Sequence, residues 1–85
     1  MRDNKVLVEL SVPAANKKFD IFIPLTSKMF DVRKMLVKVI NDLCEGTYIA
    51  SDDVVICEKE SGIIYNINLE IAELGIENGT KLIMI

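Results

Sequence analysis

Ile71-Ala72-Glu73-Leu74-Gly75-Ile76-Glu77-Asn78-Gly79-Thr80-Lys81-Leu82-Ile83-Met84-Ile85 is the stretch that decides the fold. It divides into one helical turn over residues 71–74 stopped by Gly75, a tight corner at Asn78-Gly79, and a last strand over residues 80–85. A closing strand needs sheet partners, and the start of the chain supplies them. In residues 5–12, Val6, Val8, Leu10 and Val12 alternate with Leu7, Glu9 and Ser11, the period of a strand with one buried face. Pro13 and Asn16 form a turn, and residues 19–25 resume the alternation, with Phe19, Ile21 and Ile23 facing one way and Asp20 and Phe22 the other. Two adjoining strands with so short a break make a hairpin.

Pro24 closes the hairpin, and Thr26 or Ser27 can cap a helix. Beyond Lys28 the period changes. Met29, Val32, Leu36, Val39, Ile40 and Leu43 fall on one helical stripe, with Lys34, Lys38, Asn41, Asp42 and Glu45 opposite. Asp31 suits the positive end of the helix dipole, and Gly46 is placed to end a helix of about 17 residues in a left-handed cap. A second stripe, Phe30, Val37 and Cys44, either packs under the connection over residues 68–79 or forms a docking groove of its own. Residues 54–58 and 63–67 read as short strands about a turn at residues 59–62.

The chain is 85 residues long, a single domain over residues 1–85. Such a length buries roughly 60–65% of the surface exposed by the unfolded chain. Its composition, 51% hydrophobic but only 6% aromatic, points to an aliphatic core. One amphipathic helix can bury its stripe only against one apolar sheet face, which gives an α+β roll: a mixed sheet of four to five strands packed on one helix. The last strand should lie beside the first and parallel to it. The expected core is Val6, Val8, Leu10, Phe19, Ile21, Ile23, Val32, Leu36, Val39, Leu43, Val54, Ile56, Ile71, Ile76, Leu82 and Met84. This is the β-grasp arrangement.

The residue inventory argues against catalysis. There is no histidine, and Cys44 and Cys57 alone cannot complete an ordinary zinc site. The start carries charged residues rather than an export signal, so both thiols are expected free in a cytoplasmic protein. Asp52-Asp53 and Glu58/Glu60 read as turn charges, Cys57 lacks an activating partner, and the glycines show no phosphate-loop spacing. No catalytic residue, cofactor or metal ligand is therefore assigned. A formal net charge of −3 opposes nucleic-acid binding, and Arg33, Lys34 and Lys38 read as a solvated helix face. No segment reaches the ~20 apolar residues that a membrane span needs. Tyr48 and Tyr65 read as cover for core edges with wet hydroxyls.

Residues 71–85 resemble the ubiquitin-like pattern Leu-x-Asp-Tyr-x-Ile, a turn, then Thr-Leu-x-Leu. Together with Phe19-Asp20-Ile21-Phe22-Ile23-Pro24-Leu25 and the helix through Val32 and Leu36, the chain is similar to the YukD/EsaB group. These are small bacterial ubiquitin-like proteins of Gram-positive type VII (ESX-like) secretion loci. The resemblance implies a non-conjugating cytosolic accessory or regulatory factor. Related ubiquitin-like domains occur within membrane components of such machines, which is the alternative reading. A conjugated modifier or sulfur carrier would need a C-terminal Gly-Gly, and this sequence closes on Ile85.

The remaining sequence signal lies on the sheet face turned away from the helix. Alternation puts Leu7, Phe22, Val55, Cys57, Ile83 and Ile85 there, amid Glu9, Ser11, Asp20 and Lys81. An open sheet face is ordinarily polar, so an apolar cluster on it marks a protein interface. The occupant expected is a protein partner, a component of the secretion machine; a homodimer through the same patch would satisfy it equally.

Overall fold

Strand β1, Lys5–Val12, turns Val6, Val8, Leu10 and Val12 inward, as its period demands. The structure, a computed structural model, describes residues 4–45, 51 and 53–85. Pro13–Ala15 make a single 3-10 turn, closed by Asn16 in the left-handed region at φ 55°, which a short amide side chain tolerates. Strand β2, Lys17–Pro24, then returns antiparallel, starting two residues earlier than its alternation marks. Helix α1, Met29–Cys44, follows, and strands β3, Ile56–Glu58, and β4, Lys81–Met84, complete the sheet. The order across the sheet is β2-β1-β4-β3. Strand β4 lies parallel to β1, as expected, and β3 antiparallel to β4. Beyond the formal strand, Val55 and Ile85 exchange both backbone hydrogen bonds, at 2.7 and 3.0 Å.

The helix starts differently from expectation. Neither Thr26 nor Ser27 caps it; Lys28 holds the N-cap position with no side-chain bond. Its first N–H groups donate instead to distant carbonyls, Met29 to Leu69 and Phe30 to Ile67, each at 2.9 Å. Those orphan donors need an acceptor, and the backbone of the later connection supplies it. The same bonds explain why residues 63–67 do not form the expected strand. The carbonyl of Ile67 is turned to the helix, and Asn66 bends the chain through its side-chain bond to the N–H of Asn68 at 2.9 Å. What remains of the pairing is a bridge between Cys57 and Ile64. At the other end Glu45 takes the left-handed conformation, φ 49°; Gly46 lies outside the described residues.

The buried helix face is Met29, Val32, Leu36, Val37, Ile40 and Cys44. Val32, Leu36, Ile40 and Cys44 form one i+4 row. Such a row drifts about 40° per step around the helix, so the axis crosses the sheet obliquely. Consequently Leu43, expected in the core, is 50% exposed, Val39 is half-buried, and Val37 and Cys44 take the inner places. Phe30 separates from that second stripe and stays at the surface, with Lys34 Nζ 4.8 Å and Arg33 Cζ 5.5 Å from its ring centre. Phe19 and Ile21 only edge the core; the other expected core residues are buried.

The segment over residues 71–74 forms the expected helical turn, with the N–H of Leu74 bonded to the carbonyl of Glu70, and Gly75 leaves it at φ 75°. The Asn78-Gly79 corner is tied to the first strand. Asn78 Oδ1 accepts from the Leu7 N–H at 2.8 Å, and the Gly79 N–H donates to the Leu7 carbonyl at 2.8 Å. The corner that leads into β4 is thus tied to β1 by its own hydrogen bonds.

Candidate protein-docking face

Strand pairing turns the open face into rows. The first joins Phe22 to Leu7 and ends at Gly79. The second runs Asp20, Glu9, Lys81 and then Lys59, whose N–H donates to the Lys81 carbonyl. The third runs Lys18, Ser11, Ile83, Cys57 and Ile64. The fourth contains Ile85 and Val55. The six residues expected to form one patch therefore fall into two apolar islands, separated by a charged row. Phe22, 61% exposed, and Leu7 make the smaller island. Ile85, Val55 and Ile83 make the larger one, where Ile85 is 63% exposed.

Cys57 is a correction. It lies on the expected face but is only 3% exposed, so it cannot serve as a surface anchor. Its short side chain sits between Ile83 and Ile64 in the row, with Val55 and Lys59 next along the chain. Ile64 is the residue that sequence reasoning missed. It is 64% exposed and extends the larger island past the edge of β3. Folding residues 63–67 back on residues 54–58 about the Lys59–Gly62 turn, as a hairpin, would have placed it opposite Cys57.

The charged row is internally compensated. Lys59 Nζ donates to the buried Ser11 hydroxyl at 3.0 Å and stands 4.0 Å from Glu9 Oε2. A half-exposed pair at that distance is worth little, but the bond to Ser11 satisfies a hydroxyl that would otherwise be stranded. On the core side of the same edge, Tyr65 packs against the apolar cluster. Burial first, then the charge of Glu58 and the thiol of Cys57, push its phenol up to about 12 from 10.0. The folded protein thus keeps a proton that the unfolded chain gives up. The contribution of Tyr65 to stability is fully present below pH 10 and is lost as pH rises towards about 12. In a Tyr48→Phe background, phenolate absorbance should show a midpoint near 12, with the melting temperature falling over that same interval. A midpoint at 10.0 would contradict the packing of Tyr65.

Among the described residues no group of three or more His, Cys, Asp or Glu side chains could hold a metal ion. No helix among them is long and apolar enough to cross a membrane.

No protein-family profile matches the chain, and no curated protein matches it by sequence. Solved structures do. It is similar to a chain of the MycP5-free ESX-5 inner membrane complex, State II, with TM-score 0.83 and 14% identity over 96% of its length. It spans 21% of that chain. The EccD5 ubiquitin-like domain from Mycobacterium xenopi aligns with TM-score 0.81 and 16% identity, over 95% of this chain and 92% of that one. The ubiquitin-like domain of the Mycobacterium tuberculosis type VII secretion system protein EccD1 gives 0.73 and 13%, over 95% and 97%. Identities this low speak for architecture alone. A parallel pairing of first and last strands, one helix with its buried face against a four-stranded mixed sheet, and these likenesses together show that the chain has the ubiquitin-like β-grasp fold.

Proposed function

We propose that this chain is a non-catalytic ubiquitin-like module that docks a protein component of a type VII secretion machine. The observation that carries the reading is the larger apolar island on the open sheet face, where Ile83, Ile85, Val55 and Ile64 leave aliphatic surface uncovered by the fold. Solvent-facing aliphatic side chains gathered on one sheet face gain free energy when a partner covers them. Two settings fit this role. In one the chain acts in the cytoplasm as an accessory or regulatory factor of the YukD/EsaB kind, as its sequence resemblance implies. In the other it is the cytosolic ubiquitin-like domain of a membrane component, a reading favoured by the likeness to EccD domains.

Replacing Ile83 or Val55 with aspartate puts a charge into the island without touching the core face. Each variant is expected to fold normally by circular dichroism while losing about tenfold or more in partner affinity. Pull-down from native cytosolic and membrane fractions should retain a secretion component on the wild-type chain and lose it on Ile83→Asp. Equal retention by both folded variants would remove the island as the site. The fraction that yields the partner separates the two settings.

A further inference from the structure

A hollow of about 520 Å³ opens on the same face over Ser11 and Ile83. Its walls are the turn from Pro13 to Asn16 and three lysines, Lys17, Lys18 and Lys59. No carboxylate is among the lining residues, although the chain carries a formal net charge of −3. The acidic side chains Glu58, Glu60 and Glu77 gather instead around a separate hollow beside Gly79, where Lys81 also stands. Charge is therefore sorted: one corner of the sheet is cationic, another anionic. Lys59 is already oriented by its bond to Ser11 and faces Glu9 at 4.0 Å, so the positive charge that the hollow offers comes chiefly from Lys17 and Lys18, exposed at the start of β2. The apolar side chain in this hollow, Ile83, is continuous along β4 with Ile85, which pairs with Val55.

We propose that this hollow receives an extended acidic segment of the partner protein, seating an aliphatic side chain on Ile83 and its carboxylates against Lys17 and Lys18. The inference rests on the open face being the docking face and names the chemistry that the face selects. The exposed ammonium groups of Lys17 and Lys18 beside an aliphatic side chain match a peptide that carries both carboxylate and aliphatic groups. A nucleic acid or an anionic membrane fits less well. Either spreads its negative charge over the carboxylates of Glu9 and Asp20 one row away and gains nothing from Ile83, whereas a peptide can confine its carboxylates to the lysines.

Panning a displayed library of random decapeptides on the full chain tests this. Recovered peptides should be enriched in Asp and Glu next to Ile, Leu or Val. Their affinity should fall about tenfold or more between roughly 0.05 M and 0.5 M salt. They should lose about tenfold or more on Lys17→Glu/Lys18→Glu and again on Ile83→Asp, with both variants folded by circular dichroism. Peptides without acidic enrichment, or acidic peptides indifferent to the lysine variant, would overturn the inference. If those peptides still fail on Ile83→Asp, the docking face itself survives. Peptides indifferent to Ile83→Asp would take down the docking face and the inference together. Recovery of no peptide, or lysine-dependent binding only to single-stranded DNA or to phosphatidylglycerol vesicles, would also overturn it.

Discussion

Leu10→Ala is expected to remove about 2–5 kcal/mol of stability. Leu10 sits in the central strand, opposite Phe19 on β2 and Leu82 on β4, and is fully buried. Paired strands on both sides hold its backbone in place, so the space left by the side chain cannot close by local collapse. The cost is the lost transfer of the removed carbons plus the cavity they leave. A domain of this size has a total stability on the order of 4–13 kcal/mol, so one substitution takes a large share of it. The melting temperature should fall by on the order of 15 °C. Leu7→Ala on the same strand is the control. Leu7 faces outward, and its loss should cost no more than about 1 kcal/mol. Urea unfolding with an unchanged slope would measure both. A larger loss for Leu7→Ala than for Leu10→Ala would mean that β1 is turned the other way.

The alternation of β1 and β2 was legible because a strand with one buried face writes its orientation into every second residue. Val6, Val8, Leu10 and Val12 are all buried, and Phe22 is out. The parallel placement of β4 beside β1 followed from the short chain and a single helix, which leave few ways to close a sheet. The helix was legible as an element but not in its rotation. A stripe drawn parallel to the axis predicts Leu43 inside; the oblique i+4 row that packs on a twisted sheet puts Cys44 there instead. The start of the helix escaped for another reason. Its acceptors, the carbonyls of Ile67 and Leu69, lie far along the chain from Phe30 and Met29 and have no side-chain signature. The candidate site was half legible. Alternation assigns a residue to a face but not to a row, and the row decides exposure. Alternation places Cys57 on the open face, where the strand pairing also has it, yet its neighbours Ile83 and Ile64 hide it. The charged row that splits the apolar residues into two islands became visible only with the register.

That rotation of the helix makes the sharpest contrast between neighbouring substitutions. Val37→Asp is expected to cost about 3–5 kcal/mol, because it leaves an uncompensated carboxylate in a buried place. Val37 belongs to the core cluster and is nearly covered, and an aspartate there is too short to carry its charge out to water. Near the lower end of the stability range the variant would be largely unfolded at room temperature. Leu43→Asp should stay within about 1 kcal/mol, most of it the unfavourable placing of a negative charge in the last helical turn. The side chain at position 43 already stands half in solvent, so little apolar burial is lost. A stripe parallel to the axis predicts the reverse order, with Leu43→Asp the damaging change. Urea midpoints of the two variants decide between the two packings. Comparable damage from both would mean that the helix presents a wider face to the sheet than the row from Val32 to Cys44, and the oblique crossing would then have to be abandoned.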